Sequence, residues 1–190
     1  MKNGTITLWG EKRYHSLDYY LKNTYHEKVY RIALNAGLSC PNRDGRLDTR
    51  GCIFCSAGGS GDFAASPTLS ITEQLETEKR ILRAKRNCNK FIAYFQAFTN
   101  TYGSVEHLRD LYMQAVNDPD VVIISIATRP DCLPDEVLSL LSRLKDEYPD
   151  KLIWIELGLQ TIHEKTAERI HRGYRLEVFE AVSYTHLRAH

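Results

Sequence analysis

The sequence has no long apolar run, no excess of either charge and no signal-like N-terminus. Its most apolar stretch, residues 121–127, falls far short of the roughly 20 residues that span a bilayer. The 25 Lys and Arg nearly balance the 24 Asp and Glu, so the bulk charge provides no attraction to nucleic acid or anionic membrane. Residues 1–10 lack the apolar segment of a signal peptide. These absences predict a soluble, cytoplasmic protein with no membrane partner.

The chain has five cysteines, and their distribution is uneven. Three of the five cysteines lie within residues 40–55, whereas Cys88 and Cys132 stand apart. The odd number and the missing export signal argue against a disulfide framework. The sequence also lacks nucleotide-binding loops of the GxGxxG and Walker types after the strands predicted below, which argues against a nucleotide-binding open sheet. The pattern favours a metal site with two bystander cysteines.

Strand-like and helix-like apolar patterns alternate along the chain. Strands are predicted at residues 29–34, 91–95, 121–127 and 152–157. Helices are predicted at residues 14–25, 71–87, 105–116 and 163–171, and two more are expected to begin near 134 and 176. This order predicts right-handed βαβ crossovers and a parallel sheet, compatible with a barrel, a partial barrel or an open doubly wound sheet. Because a closed eight-unit barrel needs about 250 residues, we expect the sheet to be incomplete.

Two helix starts and one boundary can be placed more closely. Ser70 and Glu73 have the spacing of a capping box, and Ser104 is placed as the N-cap of the next helix. We expect residues 1–181 to form one domain. Residues 182–190 have neither a cap nor an apolar period, and our hypothesis is that this tail is not native sequence.

The three clustered cysteines follow the first predicted strand, where sites in parallel α/β folds commonly lie. Thiolates favour zinc, copper(I) or iron–sulfur clusters. Structural zinc takes four protein ligands, often as two close pairs, whereas only Cys52 and Cys55 form a close pair here. Three cysteines on a cubane cluster leave one iron open to a ligand that is not protein. The residues favour the cluster, and a zinc-stabilised binding module without catalysis is the alternative.

Residues 40–55, CPNRDGRLDTRGCIFC, resemble the cluster loop of the radical SAM superfamily. The spacing is wider than the common CxxxCxxC and is similar to that of an uncharacterised bacterial subgroup related to the elongator catalytic subunit and oxygen-independent coproporphyrinogen oxidase. The resemblance implies a parallel (β/α) partial TIM barrel, truncated after about four βα units. It also implies a [4Fe–4S] cluster on Cys40, Cys52 and Cys55, with S-adenosylmethionine on the open iron.

The resemblance assigns further residues to S-adenosylmethionine. Phe54, between the last two cysteines, is expected near the adenine. Gln96 and Asn100 lie in the segment YFQAFTNTY, which stands where the family has a Gly-rich segment near the methionine amine, although the glycines are missing here. Their role is therefore implied by position alone.

Two more segments resemble the family. In ATRPDCL, residues 127–133, Arg129 is expected either to bind the cofactor or to pair with Asp131. In ELGLQTIHEKTAERIHRGY, residues 156–174, Gln160 corresponds to a ribose contact and Arg172 to a contact with the methionine carboxylate. A guanidinium suits that role because it can hold a carboxylate through two parallel hydrogen bonds.

The function implied by the resemblance is reductive cleavage of S-adenosylmethionine to methionine and a 5′-deoxyadenosyl radical, which abstracts hydrogen from an unknown substrate. An electron donor such as flavodoxin or ferredoxin is implied as a partner. Kinship with the elongator branch raises RNA modification by analogy, without support from the net charge of +1. A further alternative is an incomplete chain that holds the cluster but is inactive.

Overall fold

Four parallel strands form the centre of the structure, a computed structural model that describes residues 8–187. They are β1 (Val29–Leu34), β2 (Lys90–Phe95), β3 (Val121–Thr128) and β4 (Leu152–Leu157), in the spatial order β1-β2-β3-β4. Every pair is parallel. The predicted strands and the partial-barrel α/β fold are therefore confirmed, with strand ends that differ by one residue at β2 and β3.

Helices connect and flank the strands. They are α1 (Leu17–Tyr25), α2 (Ile71–Lys85), α3 (Val105–Val116), α4 (Asp135–Glu147), α5 (Glu164–Arg169) and α6 (Leu176–Leu187), with a short 3-10 helix at Pro130–Cys132. The capping box is confirmed, because the Ser70 side chain accepts from the Glu73 amide at 3.2 Å and the Glu73 carboxylate accepts from the Ser70 amide at 2.7 Å. Ser104 caps α3 through the amide of His107 at 3.3 Å.

The two faces of the sheet differ in what covers them. The main core lies between the sheet and helices α2, α3 and α4, and its members include Leu75, Phe91, Phe95, Tyr112, Ile124 and Leu141. On the opposite face, Leu21 of α1 packs against Val29, Ile92 and Ile123 near the amino ends of the strands. Side chains alternate between the two faces along a strand. The residues two positions after Val29, Ile92 and Ile123 therefore lie on this second face as well, nearer the carboxyl ends of the strands.

Helix α6 runs through the predicted domain boundary at 181/182 and ends at Leu187. Val182 packs against the main core, so residues just past the boundary continue the helix that begins at Leu176. Whether residues 182–190 are native sequence stays a hypothesis. Residues 188–190 of this tail, and residues 1–7 of the segment assessed as a signal peptide, lie outside the described residues. None of the helices within residues 8–187 combines the length and the apolar character needed to cross a membrane.

Candidate active site

A cavity of about 290 Å³ lies where the carboxyl ends of the strands meet the long loop between β1 and α2. Eight of the nine predicted site residues line it: Cys40, Cys52, Phe54, Cys55, Gln96, Arg129, Gln160 and Arg172. They come from the β1–α2 loop and from the segments that follow β2, β3 and β4. The parallel topology brings these distant segments together because every strand ends at the same edge of the sheet.

All three clustered cysteines are free and partly buried. A tight turn, in which the amide of Cys55 donates to the carbonyl of Cys52 at 3.1 Å, keeps these two residues adjacent. A hydrogen bond from the Cys55 thiol lowers the pKa of Cys52 against the opposing effect of burial, and Asn42 and the guanidinium groups of Arg129 and Arg43 act in the same direction. Cys52 is therefore predisposed to the thiolate form that binds metal.

The donor set fits an iron–sulfur cluster in its chemistry. Within residues 8–187, no three or more His, Cys, Asp or Glu side chains lie close enough together to hold a single metal ion. The fit therefore rests on three thiols that share one cavity, Cys40, Cys52 and Cys55. Thiolates are the usual protein ligands of iron–sulfur clusters.

Gln160 stands at the exposed edge of the cavity, three residues beyond the end of β4. Its φ of 59° lies in the left-handed region, which is uncommon for residues other than glycine. The Tyr174 hydroxyl lies 3.0 Å from its Oε1 and also donates to the carbonyl of Gly158. A side chain at Gly158 would meet the Gln160 amide, since a Cβ there would lie 2.6 Å from Nε2. The local backbone thus holds the Gln160 amide in a defined place.

Arg172 is 1% exposed, and its guanidinium serves the protein itself. Nε donates to the carbonyl of Tyr174 at 2.9 Å, Nη1 to the carbonyls of Leu159 at 3.1 Å and Thr161 at 2.6 Å, and Nη2 contacts Glu164 at 3.2 Å. A guanidinium has five N–H groups, and these contacts use four. A two-pronged contact with a carboxylate would therefore require Arg172 to give up one of them, and that role stays a prediction.

Arg129 pairs with Asp131, which is one of the two roles expected for it from the sequence. Its Nε and Nη2 bind the two carboxylate oxygens of Asp131 at 2.9 and 2.7 Å, and Nη1 donates to the carbonyl of Arg172 at 2.9 Å. Although burial alone would lower the pKa of Arg129, the Asp131 carboxylate raises it. Arg129 also lines the cavity, so its positive charge faces the site as well as Asp131.

The remaining predicted contacts differ in their placement. The ring of Phe54 is 50% exposed at the cavity, and Gln96 is partly buried in its wall. Asn100 is 0% exposed and lies outside the residues that line the cavity. Its amide donates to the carbonyls of Phe95 at 3.1 Å and Ala127 at 3.0 Å, which ties the ends of β2 and β3 together.

A row of polar side chains on the second face of the sheet, the face that α1 packs against, was not predicted from the sequence. Glu156 accepts from Arg31 at 3.1 Å and from the hydroxyl of Ser125, and the Arg31 guanidinium lies 4.2 Å from the ring centre of Tyr94. Burial, followed by the nearby Glu156 charge, raises the pKa of Tyr94. Tyr94 and Glu156 both line the cavity. Tyr94 and Glu156 alternate with apolar residues along their strands, and this alternation in the sequence could have predicted that they share one face of the sheet.

Asn42 was also missed. It is 1% exposed in the β1–α2 loop, and its side chain joins Cys52 to the turn that follows α5. Only its position two residues after Cys40 could have drawn attention to it in the sequence.

Comparison with known proteins gives the family. The family model of the radical SAM superfamily matches residues 49–186, which is more than half of the chain. The chain belongs to the radical SAM superfamily. The predicted superfamily is thereby confirmed, while the resemblance to one bacterial subgroup stays a prediction.

Relatives of this radical SAM chain occur in bacteria and archaea. It is 49% identical to the uncharacterised protein YtqA of Bacillus subtilis over 164 residues, which cover 86% of this chain and 50% of YtqA. It is 44% identical to protein YhcC of Escherichia coli K12 over 161 residues, covering 84% and 50%. It is 33% identical to the uncharacterised protein MJ0486 of Methanocaldococcus jannaschii over 172 residues, covering 89% and 51%. The chain thus spans about half the length of the curated relatives it matches.

Proposed function

We propose that the chain binds a [4Fe–4S] cluster on Cys40, Cys52 and Cys55 and cleaves S-adenosylmethionine reductively. The observation that carries the proposal is the single cavity shared by these three thiols, Phe54 and Gln160. Membership of the radical SAM superfamily supports the same conclusion.

Held by Cys40, Cys52 and Cys55, the cluster would supply the one-electron reduction of the S-adenosylmethionine sulfonium that gives methionine and a 5′-deoxyadenosyl radical able to take a hydrogen atom from the substrate, with a flavodoxin- or ferredoxin-type protein as the electron donor. The side chains of the cavity bind and orient the cofactor. Gln160 pairs with the ribose hydroxyls through its amide, and Phe54 covers the adenine with its partly exposed ring.

Arg172 supports this arrangement from the cavity wall itself. Its hydrogen bonds to the carbonyls of Leu159 and Thr161 hold the backbone on both sides of Gln160. Arg129 contributes positive charge at the cavity, and Gln96 a polar side chain at its wall. We propose that these two residues face the methionine end of the cofactor.

The substrate is proposed to approach from the second face of the sheet, the face that carries the polar row. Tyr94 and Glu156 connect the cavity to the polar row on that face, which also includes Arg31 and Ser125. RNA modification, by analogy with the elongator branch, is a hypothesis about the substrate class.

The metal content after anaerobic reconstitution tests the proposal. We expect iron and sulfide in equal amounts and the broad absorbance of an iron–sulfur cluster at about 400 nm. Cys52→Ala should abolish the full cluster, whereas Cys88→Ala, which removes a buried thiol remote from the cavity lining, should retain it. One tightly bound zinc without that absorbance would instead support the zinc-stabilised binding module.

A further inference from the structure

The side chain of Asn42 lies between the β1–α2 loop and the turn at residues 171–172. Its Nδ2 lies 2.8 Å from the carbonyl oxygen of His171 and 3.1 Å from that of Arg172. Carbonyl oxygens only accept hydrogen bonds, so these two contacts require the NH₂ group, and not Oδ1, to point towards the turn. The orientation of the amide therefore follows from its surroundings.

The same NH₂ group contacts a proposed cluster ligand. Nδ2 lies 3.2 Å from Sγ of Cys52, and that Sγ lies 3.3 Å from the carbonyl oxygen of His171. As a thiol, Cys52 can donate its proton to His171. As a metal-bound thiolate it has no proton to donate and can only accept. Cluster binding would therefore direct one N–H of Asn42 to Cys52 and the other to His171, while the Arg172 carbonyl keeps its hydrogen bond from Arg129.

We propose that Asn42 is a positioning residue that donates an N–H···S hydrogen bond to Cys52 and thereby raises the reduction potential of the cluster. The inference rests on the proposed function. Reduction adds negative charge to the cluster and its thiolates, and a donated hydrogen bond stabilises that charge, so the reduced state gains more than the oxidised state.

Two further observations indicate that this amide is held in place at a cost. Oδ1 of Asn42 is buried and has no hydrogen-bond partner among the described residues. An unpaired buried acceptor destabilises the folded state, and filling of space alone would not explain why an amide stands here. In addition, Gly173 has a φ of +83°, and a Cβ there would lie 2.6 Å from Oδ1. The turn thus requires glycine where the amide approaches.

Two other contacts hold the turn, one from the cluster loop and one from the segment that follows β3. The amide of Ile53, next to Cys52, donates to the carbonyl of Ile170 at 3.2 Å. Arg129 donates to the same Arg172 carbonyl as Asn42, at 2.9 Å. Loss of the Asn42 side chain would therefore remove the N–H···S contact while these neighbouring contacts keep the turn near the loop.

The test is a redox titration of the reconstituted protein, followed by electron paramagnetic resonance. We expect Asn42→Ala to retain the full iron and sulfide content and to shift the midpoint potential to a more negative value. Gly173→Ala, which would push the amide aside, should shift it in the same direction. The matched control is Gln74→Ala, because Gln74 is equally buried and its amide donates to two carbonyls, yet it lies on α2 and contacts no cysteine among the described residues. Its potential should not change.

A second measurement needs no variant. In protein carrying ¹⁵N only at asparagine side-chain amides, pulsed electron paramagnetic resonance of the reduced cluster should detect a ¹⁵N coupling. The inference would be overturned, and the proposed function left standing, by either of two results. One is an intact cluster in Asn42→Ala with an unchanged potential, and the other is a wild-type cluster without the ¹⁵N coupling. A wild-type protein that forms no cluster would overturn the proposed function as well.

Discussion

Arg172 binds the backbone on both sides of Gln160. Its Nη1 lies 3.1 Å from the carbonyl oxygen of Leu159 and 2.6 Å from that of Thr161. Gln160 between them has a φ of 59°, a conformation that costs a residue with a side chain of the order of 1 kcal/mol. The buried guanidinium thus stabilises the backbone conformation that presents the Gln160 amide to the cavity.

Replacing Arg172 with Lys should weaken both the fold and cofactor binding. A lysine ammonium cannot reach the four acceptors that the guanidinium serves, so buried carbonyls lose their donors. We expect the free energy of unfolding to fall by about 3 kcal/mol, measured by urea titration. Arg169→Lys, on the exposed surface of α5, is the matched control and should unfold like the wild type. Equal stability of both variants would contradict the claim that Arg172 stabilises the backbone around Gln160.

Replacing Gln160 with Gly should separate stability from binding. Glycine adopts a positive φ without strain, so the free energy of unfolding should not decrease. The amide proposed to contact the ribose is lost, and the Kd for S-adenosylmethionine should rise about tenfold, equivalent to one hydrogen bond of about 1.4 kcal/mol. Equilibrium binding to the reconstituted protein measures this, with Gln114→Ala on α3 as the control. An unchanged Kd would remove Gln160 from the cofactor site.

The fold and the grouping of three cysteines at one site could be predicted from the sequence because their signals are local. Strand and helix periods, the Ser70 capping box and the close spacing of Cys52 and Cys55 all lie within short segments. The contact between Asn42 and His171 joins residues 129 positions apart, and no local pattern encodes it. Asn100 was assigned by position to the cavity, but its amide has backbone partners on two neighbouring strands, which only the folded structure reveals.

A buried ion cluster on the side of the sheet covered by α2 offers a test of stability alone. Lys79 contacts Asp118 at 2.7 Å and Asp120 at 2.8 Å, and the side chains of Lys79 and Asp118 are only 9% and 10% exposed. Lys79→Met would leave two neighbouring carboxylates without this cation, and we expect a loss of about 3 kcal/mol in urea unfolding. Lys22→Met, which breaks the exposed pair with Asp18, should cause no measurable loss. Similar effects of both substitutions would contradict the importance of burial.

The same cluster predicts a dependence of stability on acid pH. The hydrogen bond from Lys79, followed by that from Arg83, lowers the pKa of Asp120, although burial opposes the change. A carboxyl whose pKa is lower in the folded state adds stability above its unfolded pKa of about 4, and this contribution is lost as the pH falls through the folded pKa. The difference in unfolding free energy between wild type and Asp120→Asn should therefore be present at pH 6 and shrink below about pH 4. A difference that does not change with pH would contradict this assignment.

The most direct test of the central claim is the formation of 5′-deoxyadenosine. The reconstituted chain is reduced anaerobically with dithionite in the presence of S-adenosylmethionine, and the products are separated by liquid chromatography and mass spectrometry. We predict 5′-deoxyadenosine and methionine from the wild type, and neither above background from Cys52→Ala. A fully loaded cluster that yields no 5′-deoxyadenosine would contradict the claim that this chain cleaves S-adenosylmethionine, and would indicate a chain that holds the cluster without activity.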